Sequence, residues 1–182
     1  IELDKLNFEK DIFGNNLIKS LLELKHLYNE NLNSKINLTV NNLIKNKLFS
    51  SSKIFINFNN GNINFNKTIF NGQVGNLNLI DSKIINYKDN LIFNGNFVFN
   101  ILSKNEFYRL FQIGKKSRKE IKNFYFNIEY NFTKNEYKIN NLIFDPGNIK
   151  SENDLYDYLD ESYNQSKIDN WIDFKNFVNK IF

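Results

Sequence analysis

The chain has 182 residues, a net charge of +4, nineteen Phe, nine Tyr, one His and no Cys. Without cysteine there is neither a disulfide framework nor a thiolate metal site, and a single His rules out the usual zinc ligand sets. No apolar run reaches the ~18 residues of a membrane-spanning helix, and the positive charge is modest and unevenly placed, where a nucleic-acid binder more often concentrates many Lys and Arg on one face.

The length suits one domain with a real core. Phe, Tyr and Ile favour pleated, half-buried surfaces, and Ala, the strongest helix former, is missing altogether. Asn makes up about a fifth of the chain, as an AT-rich coding sequence would give, so its abundance alone carries no structural argument. The acceptor patterns Asn37-Leu38-Thr39, Asn66-Lys67-Thr68 and Asn131-Phe132-Thr133 are what so many Asn produce by chance. No Met occurs, even at position 1. The chain therefore reads as a fragment of a longer protein, with any targeting or anchoring sequence upstream.

In chain order, residues 1–33 are predicted as a helical lead-in. Leu17, Leu21, Leu24 and Tyr28 repeat with the helical period, Ile18 and Leu22 widen the stripe, and Asn15 or Asn16 can cap it. From Lys35 the period becomes two. Ile36, Leu38 and Val40 alternate with polar residues, and Ile54, Ile56 and Phe58 follow. Asn60-Gly61 is the strongest short hairpin signal, with Ile63 and Phe65 alternating beyond it. Asn71-Gly72 marks a second break. Leu77 and Leu79 alternate, and Ile85 and Tyr87 approach a turn at Lys88-Asp89-Asn90. A long strand then sets Leu91, Phe93, Phe97, Phe99 and Ile101 on one face, with Gly95 marking a bend, a bulge or a close approach.

Ser103 and Glu106 have capping-box spacing and predict an inserted helix over about 103–113, with Phe107, Leu110 and Phe111 on its apolar side. Lys115, Lys116, Arg118, Lys119 and Lys122 form a basic cluster, read first as a solvated loop and second as an anion or lipid-headgroup contact. Phe124, Phe126, Ile128, Tyr130 and Phe132 alternate cleanly. Asn135-Glu136 turns the chain into Tyr137 and Ile139, then Leu142 and Phe144, and Pro146-Gly147 ends the sheet. An acidic helical tail is predicted over 147–182, with stripes of Leu155, Tyr158 and Leu159, and then of Ile168, Trp171, Ile172, Phe174, Phe177, Val178 and Ile181. The expected fold is α+β, mainly β. It is a single domain over 1–182 with a curved antiparallel meander of about seven strands over 34–146, one inserted helix and helices at both ends.

Catalytic patterns are weak. His26 sits within a Leu-rich amphipathic stretch, without the activated partner and orienting group of a nucleophile system. Asp160 and Glu161 are adjacent and point apart on a helix, whereas Asp154 and Asp157, which can share a face, lie in an acidic tail where a solvated face is the ordinary explanation. No phosphate loop, nucleophile elbow or calcium loop occurs. The expectation is a non-enzyme without cofactor or metal.

A sheet of about seven strands at ~4.8 Å spacing has a face of roughly 850 Å², and about 45 residues of helix would shield roughly 675 Å² of it. Some apolar surface is then left for another part of the parent protein, or stays open as a groove that an acyl chain would fit.

The order of motifs from Ile36 to Ile143, about 110 residues, resembles the C-terminal region of AsmA-like proteins of Gram-negative bacteria. The likeness rests on I-N-L-T-V-N-N-L at Ile36–Leu43, the strand pair meeting at Asn60-Gly61, the break at Phe70-Asn71-Gly72, and L-I-F-N-G-N-F-V-F-N-I at Leu91–Ile101 followed by E-F-Y-R-L-F-Q at Glu106–Gln112. The resemblance implies a periplasmic protein tethered to the inner membrane by an anchor outside this chain. Its elongated sheet would carry phospholipid acyl chains in an apolar groove, toward outer-membrane maintenance. It supplies no catalytic residues to carry over. The groove candidates are Ile56, Phe58, Ile63, Phe65, Phe97, Phe99, Phe126 and Ile128, each of which also serves as plain core. The alternative is a structural or protein-interaction module with a fully covered sheet.

Overall fold

The computed structural model describes residues 1–7, 30–87, 90–132 and 136–144, together with Ile172, Lys175, Asn176, Val178 and Asn179. The described residues form nine strands, all but the first in the region of period-two alternation: β1 (Glu2–Leu6), β2 (Ser34–Leu43), β3 (Ser51–Asn59), β4 (Asn62–Asn64), β5 (Ile69–Asn71), β6 (Gly75–Tyr87), β7 (Asn90–Ile101), β8 (Asn123–Asn131) and β9 (Glu136–Phe144). A helix, α1 (Lys104–Phe111), is inserted after the longest uninterrupted alternation. The strands form a single sheet in which sequence neighbours are spatial neighbours. The meander is therefore as expected, and its pairs are antiparallel except the first.

The strand count needs correction from about seven. β4 and β5 occupy one place, between β3 and β6, so eight positions make up the sheet. Between them the chain leaves the ladder at residues 65–68, where Lys67 takes a positive φ of 72°. The buried Thr68 side chain repairs the gap. Its Oγ1 accepts from the Phe55 amide at 3.0 Å and donates to the Phe55 carbonyl at 3.4 Å. β6 carries a bulge opposite this interruption: Leu79 pairs with Phe97 and Asp81 with Asn96, leaving Ile80 unpaired and exposed. The extra residue reverses the phase of the strand, so Ile84, not Ile85, stands with Leu77 and Leu79 on the apolar side.

The helical lead-in is also corrected at its start. Glu2–Leu6 is a strand, parallel to β2 with Leu3 beside Val40 and Leu6 beside Leu43. A parallel neighbour needs a crossover connection of a dozen or more residues, and residues 7–33 are long enough to supply it. The described elements begin with β1 and end with β9, so the helices expected at both ends are not among them. The Leu17–Tyr28 stripe with its Asn caps, His26, the turn residues Lys88 and Asp89, and nearly all of the tail lie outside the described residues. In the tail, Ile172, Lys175, Asn176, Val178 and Asn179 are helical, and Val178 is buried in the cluster beneath α1.

The hairpin at Asn60-Gly61 is as expected. Asn59 pairs with Asn62 across a two-residue loop whose φ values are 47° and 74°, the primed turn that matches strand twist. β7 runs unbroken through Gly95, which is neither a bend nor a bulge. A Cβ there would lie 2.7 Å from the Phe93 ring and 3.2 Å from the Phe97 ring, so the missing side chain makes room for two aromatic rings folding over the strand. α1 spans the expected range without the expected cap. Ser103 makes no side-chain capping bond, and the Glu106 carboxylate pairs with Arg109 one turn on.

Candidate functional site: the apolar face of the sheet

Cross-strand register decides which side chains share a face, because directly opposed residues point the same way. Phe99 lies opposite Leu77 and Phe124, Phe97 opposite Leu79 and Phe126, and Gly95 opposite Ser82 and Ile128. On the other side of β6, Ile84 faces Ile63, Ile63 faces Phe58, Ile56 faces Ile36 and Ile54 faces Leu38. One face of the meander thus collects Ile56, Phe58, Ile63, Phe97, Phe99, Phe126 and Ile128. Phe65, just past β4, joins it by packing edge-on against Phe93 at 6.1 Å. From β3 to β8, the described strand positions on this face carry no Asp, Glu, Lys, Arg or His.

The eight residues share a face but not one cluster. Near the Asn60-Gly61 hairpin, Ile56, Phe58 and Phe65 pack around the buried Ile63, Ile84 and Leu91. At the other end, Phe99 is buried with Phe107 and Phe111 of α1, with Phe124, and with Ile113 and Ile121, while Phe126 packs at the margin. A line of rings joins the two regions. Phe93 and Phe97 are 6.0 Å apart, and Phe97 stacks on Phe126 at 5.2 Å with planes 6° from parallel. Phe97, Phe126 and Ile128 are half-buried in this middle stretch, whereas Ile63 and Phe99 are buried.

Several members of the face lie outside the candidate set. Phe93 and Tyr130 were visible in the alternation, and Tyr130 stands opposite Phe93. Burial pushes the Tyr130 phenol above its ordinary pKa, so it stays neutral in this apolar setting. Ile84 was hidden by the bulge at Ile80. Phe49, in the loop before β3, carries no periodic signal, yet its ring lies 5.6 Å from Phe70 and 6.2 Å from Phe99. Among the described residues on this side, the Ser52 hydroxyl is buried with no hydrogen-bond partner.

The reverse face is polar and dominated by asparagine. Asn71, Asn76, Asn100 and Asn123 stand in one cross-strand row, as do Asn96, Asn127 and Asn140. Asn127 is buried, and its Nδ2 donates to Asn94 Oδ1 at 3.0 Å, Asn96 Oδ1 at 2.9 Å and the Gly95 carbonyl at 3.2 Å. Among the described residues, no three His, Cys, Asp or Glu side chains converge on a point that would hold a metal ion. The acidic residues weighed from sequence, Asp154, Asp157, Asp160 and Glu161, lie outside the described residues.

Chemically, the described strand positions from β3 to β8 offer apolar contact along a face without charged side chains and hydrogen bonding along the other. No family model, curated protein or solved structure matches the chain.

Proposed function

We propose that the chain is a non-enzymatic sheet segment of an AsmA-like envelope protein, and that its apolar face holds phospholipid acyl chains in transit between inner and outer membranes. The observation that carries this reading is the middle of the face, where Phe97, Phe126 and Ile128 lie half-buried and where, from β3 to β8, the described strand positions of that face carry no ionisable side chain other than Tyr130. Each CH₂ of an acyl chain laid on such a surface gains about 0.8 kcal/mol. In this reading the parent protein is periplasmic and is held in the inner membrane by sequence outside the chain. No helix of the described residues is long and apolar enough to cross a membrane.

The test is to purify the full chain without detergent and identify co-purifying lipids by mass spectrometry. Phospholipid retained at a fixed ratio is expected, falling several-fold in the Phe97→Ala/Phe126→Ala double variant while circular dichroism keeps its β signature. A lipid-free protein, or lipid retained equally by that variant, overturns the proposal.

A second reading, a structural or protein-interaction module with a covered sheet, is favoured by one observation. None of the eight candidates is exposed, and α1 together with Val178 already seals one end of the face. Lipid-free protein that remains monodisperse and resists proteolysis would select it.

A further inference from the structure

The meander brings three described connections to one end of the sheet, the end that carries α1: residues 44–50, 72–74 and 102–122. Together they hold nine Lys or Arg (Lys45, Lys47, Lys104, Arg109, Lys115, Lys116, Arg118, Lys119 and Lys122) against two Glu (Glu106 and Glu120), a net of +7 where the whole chain has +4. Both Glu are already engaged, Glu106 by Arg109 and Glu120 by Lys104 at 3.4 Å. Among the described residues, Lys115, Lys116 and Lys122 have no ion-pair partner, and all three are exposed.

This charge sits on a pinned loop. Ile113 and Ile121 are buried at its two ends, and the Tyr108 hydroxyl donates to the Lys119 carbonyl. Arg118 lies over the Tyr108 ring at 5.0 Å and donates from Nε to the Ile113 carbonyl at 3.4 Å. Lys115–Ser117 is a turn of 3₁₀ helix. The cations at 115, 116 and 122 are therefore held outward.

Two large apolar side chains protrude at the same end. Leu102 is 63% exposed and Ile44 43%. Leu102 directly follows Ile101, whose amide donates to the Lys122 carbonyl at 2.7 Å, so the bare leucine and the lysine are neighbours. The Ile44 loop is shaped by Asn46, whose Oδ1 accepts from the amides of Leu48 and Phe49 at 2.9 and 2.8 Å.

We propose that this end of the sheet docks on an anionic bilayer surface, with Lys115, Lys116 and Lys122 over the headgroups and Leu102 and Ile44 entering the interface. Charge complementarity selects the occupant. A dense basic rim with apolar tips fits a negatively charged interface, where cations hold the surface and apolar side chains enter the headgroup–acyl boundary. The inference stands apart from the lipid-groove reading. A chain that retains no lipid yet binds anionic vesicles overturns that reading and leaves this one intact.

The experiment is co-sedimentation of the full chain with phosphatidylcholine vesicles, with and without a quarter of phosphatidylglycerol. Binding is expected only with the anionic lipid, and is expected to be lost near ~1 M salt, where the screening length shrinks to roughly 3 Å. A Lys or Arg near an anionic surface strengthens binding roughly fivefold. The K115E/K116E/K122E variant should therefore bind at least about 100-fold more weakly, and Leu102→Ser roughly fivefold more weakly. A charge-matched control reverses the exposed Lys35, Lys83 and Lys138, which lie on strands away from this end, and should bind like the parent chain. Equal binding to neutral vesicles, equal loss in the control, or full displacement by millimolar inorganic phosphate at matched ionic strength overturns the proposal. The last outcome points instead to a discrete anion site.

Discussion

The two faces of this sheet are held by different means. On one, side chains interlock: Phe99, Phe107, Phe111 and Phe124 bury one another beneath α1, and rings continue through Phe97 and Phe93 toward the hairpin. On the other, hydrogen-bonded amides do the work, with Asn127 bridging three oxygens on β7. Apolar packing is non-directional and scales with area, so the first face can change from buried to half-buried along its length and remain one surface. Amide bonding is directional, so the second face depends on register and fails at single positions.

If that contrast holds, the largest effect belongs to the covered end of the apolar face. Phe111→Ala removes a ring that is fully buried under the sheet and should cost about 4 kcal/mol, whereas Phe97→Ala, in the half-buried middle, should cost about 2 kcal/mol. Urea unfolding followed by tyrosine and tryptophan fluorescence gives both numbers. Equal losses would show that the middle of the face is as closed as its end, and would break the distinction on which the acyl-chain reading rests.

On the amide face, Asn127→Ala leaves Asn94 Oδ1, Asn96 Oδ1 and the Gly95 carbonyl without their shared donor. The expected cost is about 2 kcal/mol, well above the usual effect of a surface Asn, because the amide is buried. Asn78→Ala, at a half-buried position opposite Val98 on the same face, should cost under about 0.5 kcal/mol. If the two variants unfold at the same urea concentration, the row of asparagines is decoration and not structure.

The sequence made the apolar face readable and the amide face unreadable for one reason. Alternation names the apolar residues within single strands, such as Ile36, Leu38 and Val40 or Phe124, Phe126 and Ile128, and turn chemistry at Asn60-Gly61 fixes where the ribbon reverses. Asparagine, abundant by coding bias, gives no contrast along the chain, and only the pairing register reveals that it lines up in rows. Three further features escaped for local causes. β1 is five residues long with Leu3 and Leu6 at helical spacing, so its strand character comes from pairing with β2. The bulge at Ile80 inverts the phase of β6 with no Gly or Pro to announce it. Phe49 reaches the face from a loop, where periodicity has no meaning. The eight candidate residues are legible as members of one face, but not their distribution between two packed clusters and a half-buried middle, because α1 covers only one end.

Ser52 tests the contrast from the other side, as a polar residue on the apolar face. Its hydroxyl is buried without a partner, so Ser52→Ala should stabilise the chain by about 1 kcal/mol, reversing the usual sign of a core substitution. A loss of similar size would mean that the hydroxyl is bonded in solution and that this part of the face is less dry than its neighbours Val40 and Phe70 imply.

The smallest effect is expected at the junction where the apolar face passes into its helical cover. A serine at a helix N-cap is usually worth about 1 kcal/mol, and Ser103 with Glu106 has the spacing of a reciprocal cap. In the structure Ser103 has extended backbone angles (φ −129°, ψ 99°) and makes no side-chain capping bond, while Glu106 is drawn to Arg109. The helix is held at this end by the Val74 carbonyl, which accepts from the Leu102 and Ser103 amides at 2.9 and 3.2 Å, and by Phe107 packing on Phe99. Ser103→Ala should then shift stability by less than about 0.5 kcal/mol, with no change in helical ellipticity. A full 1 kcal/mol loss would show that the capping bond forms, that α1 depends on its own sequence signal as well as on the sheet beneath it, and that the cover is a more independent unit than its packing suggests.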